Sequence, residues 1–283
     1  MRFIVPAELD GITVKTFLRR RCGLSARMLT RLKKTGSGIT VGGKSLRSID
    51  LLHGRDVVEI TFPQDDVWIT PEPIDVRVAY EDDNAVIFDK PAGMLVHPVG
   101  AYTSRTLAGA AAYHAQLMGE RYLFRPVNRL DKDTSGLLLT AKNSLAAFFL
   151  SSHCSKKYTA LCEGRLCGSG TIDTPLKVME GHTIQRVASA DGDTAITHYE
   201  VLENYGDKYT LLLLWLETGR THQIRAHLSG IGHPLAGDDM YGGSREHFSR
   251  QCLHCCEMTI TSPETGELIK AESPIDFWNE KIE

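Results

Sequence analysis

A chain of 283 residues, 42% hydrophobic and 24% charged, can bury a sizeable core and is long enough for two domains. No apolar run approaches the length of a membrane span, and the N-terminal Met-Arg-Phe-Ile-Val-Pro lacks the apolar core of a signal peptide. The net charge of −3 by itself implies no polyanionic partner, and seven cysteines without framework spacing favour free thiols in a reducing cytoplasm.

The average charge hides an asymmetry. Residues 11–60 carry eleven Lys/Arg against three acids, a balance of +8, which leaves −11 for the rest of the chain. A small basic module on an acidic body is an electrostatic footprint for nucleic acid, and equally the pattern of a solvated charged face.

In chain order, Ile12 to Cys22 reads as a helix with Val14, Phe17 and Leu18 inward and Lys15 and Arg19 outside that stripe. Ser25 offers the N-cap of a second helix that Gly36 stops. On it Arg27, Arg31 and Lys34 recur at i, i+4 and i+7 and form a basic face. Ile39–Val41, the Gly42-Gly43 turn and Lys44 read as a hairpin. This order resembles, over residues 9–62, the small RNA-binding domain shared by a small-subunit ribosomal protein, bacterial tyrosyl-tRNA synthetases and several RNA-modifying enzymes. The segment Gly38-Ile-Thr-Val-Gly-Gly-Lys44-Ser45 also matches the phosphate-loop pattern letter for letter. That motif works only between a strand and a following helix; here a β-branched run fills its middle and no long helix follows, so nucleotide hydrolysis is rejected.

Residues 63–73, with three prolines, read as a linker between a basic module over 1–62 and a body over 74–283. Strands are expected at Val76–Tyr80 and Ala85–Asp89, then a loop through Lys90 and His97, an alanine-rich helix over Leu107–Met118 and a buried strand at Leu137–Ala141. A short helix over Ser144–Ser152, a strand at Lys157–Cys162 and an antiparallel pair, Ala195–Leu202 with Tyr209–Leu216, follow. A short helix, His222–Ser229, and a strand within Gln251–Ile260 complete the series. The fold class is α+β, with a mixed, mainly antiparallel sheet, flanking helices and a small N-terminal α/β domain.

The chemistry centres on Asn128-Arg-Leu-Asp131-Lys-Asp-Thr-Ser-Gly-Leu-Leu, an acid on a turn at the mouth of an apolar strand. An acid there is often only a turn-former, so its partners decide. Tyr158 follows two cations at the start of a strand. Arg225, in Gly219-Arg220-Thr-His222-Gln223-Ile-Arg225, adjoins a buried helix face, where an arginine needs an acid as much as an ionised acid needs a cation. Asp133 would make a second carboxylate for a glycosidase, but it shares one turn with Asp131, too near to flank a sugar from both faces. The histidines 222, 227, 233 and 254 with Cys252, Cys255 and Cys256 invite a zinc reading; no second ligand pair stands at finger spacing, and small buried thiols in a strand are favoured.

Asn-Arg-Leu-Asp-x-x-Thr-Ser-Gly-Leu-Leu, Lys-Tyr-x-Ala, Thr-Gly-Arg-x-His-Gln-Ile-Arg-x-His-Leu and Gly-Asp-x-x-Tyr-Gly-Gly, in this order from residue 74 onward, resemble the pseudouridine synthases of the RluA type. The resemblance implies isomerisation of uridine in RNA without metal or cofactor, by a monomer in the cytoplasm, at a nucleotide flipped out of an RNA loop. It implies that Asp131 attacks ribose carbon 1 or removes the carbon 2 proton, that Tyr158 stacks on uracil and assists loss of the carbon 5 proton, and that Arg225 pairs with the acid. Arg129 would fill the gap left by the flipped nucleotide. Arg220, His222 and Gln223 are expected at the RNA, as are Lys15, Arg19, Arg27, Arg31, Lys34 and Lys44 of the basic module. Asn128 departs from the pattern, since many relatives have His there, with an effect expected on RNA contact rather than on chemistry. Ribosomal RNA is the expected substrate; transfer RNA, an N-glycosidase activity and a non-catalytic ribosome-assembly role are the alternatives.

Overall fold

The computed structural model describes residues 2–24, 26–61, 69–100, 102–121 and 123–280, except the side chains of Arg27, Asn279 and Glu280. Ser25, the expected N-cap, and most of the expected linker, 63–68, lie outside the described residues.

The N-terminal unit contains β1 (Arg2–Ile4), β2 (Ile12–Thr13), α1 (Val14–Arg20), α2 (Ala26–Lys33), β3 (Ile39–Val41), β4 (Lys44–Ser45), β5 (Leu51–Leu52) and β6 (Val57–Ile60). The first helix starts two residues later than its periodicity predicts. Ile12 and Thr13 pair with Leu52 and Leu51, and the Thr13 hydroxyl accepts the Thr16 N–H at 3.2 Å, a cap that fixes the start. The predicted hairpin is β3–β4, with Gly42 and Gly43 both at positive φ as a two-residue turn demands. The phosphate-loop letters therefore fall on a hairpin, not ahead of a helix. Val14, Phe17, Leu18, Leu29 and Leu32 form a core that Leu145 of the following domain completes.

The larger domain runs through β7 (Val78–Glu81), β8 (Ala85–Lys90), α3 (Leu107–Leu117), β9 (Ser135–Ala141), α4 (Ser144–Ser152), β10 (Cys154–Glu163) and β11 (Ser169–Asp173). It continues through β12 (Leu176–Val178), β13 (Arg186–Ala188), β14 (Ile196–Tyr205), β15 (Tyr209–Leu216), α5 (Gln223–Gly230), β16 (Leu253–Thr261) and β17 (Leu268–Glu272). Its main sheet has the order β11-β14-β15-β10-β16-β9-β8-β7, with β17 also on β16. The pairing is antiparallel except for β9 on β16, which is parallel and brief: His254 faces Ser135 and Cys255 faces Gly136. Beyond that point β16 pairs with β17 instead. The fold is the α+β class expected. Among the described residues no helix is long and apolar enough to cross a membrane.

All seven residues of β9 are buried, which is why that strand reads as one apolar run with no alternation. Thr106 caps α3 by accepting the Gly109 N–H, and the small side chains of Ala108, Ala110 and Ala111 let the helix lie close on the core that holds Leu137 and Leu139. Each such leucine contributes about 1.5–3 kcal/mol on burial. The rigid centre of the sheet lies under the mouth of β9, where Asp131 stands.

Candidate active site

Asp131 lies four residues before β9. The Thr134 N–H closes a turn onto the Asp131 carbonyl at 3.2 Å. The sheet then fixes what stands opposite. Gly136 has φ +104°, and a Cβ there would come within 2.3 Å of the Cys255 carbonyl oxygen, so only glycine permits this approach of β9 to β16. Cys255 in turn faces Tyr158 on β10. Tyr158 is thus two strands across from the mouth of β9, with β16 between, and a cleft lined by Asp131, Tyr158, Arg129, Arg220, His222, Gln223 and Arg225 opens there, with Leu216 and Leu253 among its apolar walls.

Arg225 comes from α5, all but buried, and divides its fork between two acids. Nη1 donates to Asp131 Oδ2 at 3.1 Å, while Nε and Nη2 donate to Asp238 Oδ2 and Oδ1 at 2.6 and 2.8 Å. Its ring neighbour is Tyr241, 5.0 Å away. Burial opposes the guanidinium charge, but the hydrogen bonds and charge of Asp238, with the charge of Asp131, more than offset it and hold the pKa above the ordinary arginine value. The bidentate pair fixes the plane of the fork, so the remaining nitrogen can point only at Asp131.

His222 caps the start of α5 in a left-handed conformation, φ 54°. Its Nε2 stands 3.5 Å from Asp131 Oδ2 and its Nδ1 is 3.2 Å from the Tyr241 hydroxyl. Burial lowers its pKa against the pull of Asp131, which leaves the imidazole neutral at neutral pH. Tyr158 is buried too. Burial, with nearby Cys255, Cys154 and Asp131, raises its phenol well above the usual value, so the hydroxyl keeps its proton.

A family model of the RNA pseudouridylate synthases matches residues 84–230, the stretch that carries Asp131, Tyr158 and Arg225. The chain belongs to that family. It is 35% identical over 272 residues to an uncharacterized RNA pseudouridine synthase of Bacillus subtilis, YjbO, across 93% of this chain and 95% of that protein. The ribosomal large subunit pseudouridine synthase D of Pseudomonas aeruginosa is 36% identical over 259 residues, across 84% of this chain and 80% of that one. The solved structure of human RNA pseudouridylate synthase domain containing 1 superposes with a TM-score of 0.59 at 26% identity, over 71% of this chain and 84% of that chain. This RNA pseudouridine synthase is an isomerase of the RluA type, converting uridine to pseudouridine in RNA.

The structure brings together Asp131, Tyr158, Arg225, Arg129, Arg220, His222 and Gln223 at one cleft. Gln223 is 2% exposed. Its amide accepts from Thr218 Oγ1 and the Arg220 N–H, and donates to the Ile196 carbonyl and Thr197 Oγ1. It braces the turn before α5 while lining the cleft beside His222 and Arg225. His222 stands beside Asp131 inside the cleft. Asn128 is also engaged internally: its Oδ1 accepts the Leu139 N–H at 2.8 Å and steadies the approach to β9. Arg129 is exposed and crosses to Thr221 Oγ1 at 3.1 Å. Arg220 donates to the Thr194 carbonyl. Lys15, Arg19, Lys34 and Lys44 are exposed and Arg31 half-buried in the N-terminal unit; the side chain of Arg27 lies outside the described residues.

Two functional residues escaped sequence reasoning. Asp238 was quoted within a motif but given no task, although an arginine fork at a buried edge presents more donors than one acid can satisfy. Lys90 opens the loop that runs to His97, and it works from beneath the turn that carries Asp131. It is fully buried, and its ammonium donates to the carbonyls of Pro91, Met94 and Lys132 at 2.8–2.9 Å. Burial pushes its pKa down to about 7, against the pull of Asp133. His97, from the same loop, instead packs edge-on against Phe124, and Asp133 is not among the cleft walls. Cys252 and Cys255 are buried, and burial raises the Cys255 thiol.

Proposed function

We propose that this pseudouridine synthase acts on ribosomal RNA, with Asp131 as the reacting carboxylate. The observation that carries the reading is the 3.1 Å pair of Arg225 and Asp131 in a cleft that Tyr158 shares. A uridine seated there would present its ribose to Asp131 and its base to Tyr158. The carboxylate either adds to carbon 1 or takes the proton from carbon 2. Either route breaks the bond from carbon 1 to nitrogen 1 and releases uracil as an anion, which rotates and rejoins through carbon 5, expelling the carboxylate from carbon 1 or, on the glycal route, with the carbon 2 proton returned, before the carbon 5 proton leaves. Arg225 keeps its charge throughout, and the neutral Tyr158 hydroxyl acts by stacking and hydrogen bonding, since a phenolate is disfavoured by burial.

Residues 1–62 form the RNA grip and 74–283 the catalytic domain in this reading. The exposed cations of the N-terminal unit support the first, and Arg129 and Arg220 at the cleft extend the positive surface to the site. The Pseudomonas relative acts, by its name, on the large ribosomal subunit, which favours ribosomal over transfer RNA. The test maps pseudouridines in total RNA from cells with and without this protein. A site lost from large-subunit RNA is the expected result. Loss confined to transfer RNA would overturn the substrate assignment, and free uracil with abasic sites in place of pseudouridine would overturn the role given to the site.

A further inference from the structure

We propose that Arg250 is a positioning residue of the reaction: its guanidinium holds the segment after Asp131 from behind and thereby sets where the Asp131 carboxylate stands. Arg250 lies just ahead of β16, outside every motif discussed above. Its Nη1 donates to the Asp133 carbonyl at 3.1 Å and to the Gln251 carbonyl at 3.0 Å, and its Nη2 donates to Ser135 Oγ at 3.1 Å. One planar fork thus ties the two flanks of Thr134 to the chain that leads into β16. Ser135 Oγ meets a second anchor, Nδ1 of buried His254 at 2.9 Å. His254 Nε2 is itself fixed at 2.7 Å from the Ser273 carbonyl oxygen.

The link to Asp131 is short. Arg225 and His222 touch only its carboxylate and leave its backbone to other contacts. The turn bond from the Thr134 N–H to the Asp131 carbonyl passes the placement of residues 133–135 on to the acid. Lys90 holds the intervening Lys132 carbonyl. Among the contacts that join this loop to the far end of the chain, Arg250 alone reaches both sides of Thr134, while Gln251 meets Thr134 and His254 meets Ser135.

The inference rests on Asp131 as the reacting carboxylate, so the full-length Arg250→Gln and Arg250→Lys proteins are measured beside Asp131→Asn. The readout is tritium release from large-subunit ribosomal RNA transcribed with 5-tritiated uridine, together with RNA affinity and the melting temperature. A reacting group misplaced by an ångström costs about 100-fold in rate, so Arg250→Gln should lower kcat about 100-fold with KM within about threefold. Lysine keeps one donor and loses the fork, and should recover about tenfold of that loss. Should the glutamine protein not fold, Ser135→Ala carries the test, because it removes only the hydroxyl that Nη2 reaches; its kcat should fall about tenfold. An unchanged kcat in the folded variants, or a raised KM at unchanged kcat, overturns the proposal. If Asp131→Asn stays active, the reading of Asp131 fails; if it is dead while the Arg250 variants run at full speed, only the positioning role fails.

Discussion

Asp238→Asn isolates the contribution of the second acid on Arg225. In the parent protein the Asp238 side chain is 1% exposed and that of Arg225 6%, and two hydrogen bonds of 2.6 and 2.8 Å join them. Removing one member of a buried pair costs about 3–5 kcal/mol because the other charge is left behind. Asparagine keeps one oxygen that can accept from Nε or Nη2, and Asp131 still balances the guanidinium, which places this change near the lower end, at about 3 kcal/mol. In a chain of this size that corresponds to a drop of roughly 6–9 °C in Tm. The kinetic consequence follows from geometry. With its anchor halved, the fork is free to rotate, and its hydrogen bond to Asp131, of a class that contributes about 1.5–3 kcal/mol, is held only part of the time. Turnover should fall by about tenfold or more with little change in KM. Circular dichroism melts and tritium release from 5-tritiated uridine in RNA read the two effects. A Tm within 2 °C of the parent with unchanged kcat would refute the claim that Asp238 orients Arg225.

Asp131→Asn should abolish tritium release while RNA affinity, measured by filter binding, stays within about threefold, since the substitution keeps shape and removes the reacting charge. Tyr158→Phe keeps the ring that faces the cleft and loses the hydroxyl; kcat should fall at unchanged affinity, and an unaltered kcat would leave Tyr158 with stacking alone. Gly136→Ala should fail to fold or lose at least about 3 kcal/mol, read by urea unfolding, because its Cβ meets the Cys255 backbone at a φ that L residues avoid. Burial lowers the pKa of His222 and His227, so both are neutral in the fold and gain protons on unfolding. Their contribution is complete above the ordinary histidine value and is lost as pH falls from there through the folded values. Urea midpoints should therefore drop between pH 7 and 5, and His227→Gln should flatten that slope by up to about 1.4 kcal/mol per pH unit.

Apolar patterning located nearly every helix and strand that bears on the site: the continuous runs 137–141 and 211–216 and the alanine-rich stretch 107–115. What it missed has no such pattern. The strands 169–173, 176–178 and 186–188 are short and largely exposed, and their identity comes from pairing, the first with 196–200 and the other two with each other. The same division holds in the site. Asp131 and Arg225 were legible because a turn acid and a helix-edge arginine each lack a partner locally. The bracing of the tight turn by Gln223 was not legible, because which open backbone groups compete for a polar side chain depends on the folded turn. Lys90 to the Lys132 carbonyl, Asp238 to Arg225 and Arg250 to the Asp133 carbonyl are contacts across the fold, and nothing in their neighbours along the chain announces them.

The placement of those hidden residues follows from one pairing. Strands that run parallel begin at the same end of a sheet, whereas antiparallel neighbours begin at opposite ends. Among the described residues, β9 on β16 is the one parallel pairing of strands in the main sheet, with Ser135 beside His254. The loop entering β9, which carries Asp131, must therefore lie beside the loop entering β16, which carries Arg250. Had β16 run the other way, Arg250 would stand at the far end of the strand and the Asp133 carbonyl would have no such donor. Gly136 is what allows that pairing, through a contact with Cys255 that no side chain tolerates. The glycine in the Thr-Ser-Gly-Leu-Leu segment thus decides which loops meet. Its substitution should reduce turnover even in a host stabilised enough to fold, because the carboxylate would lose the register that sets its position.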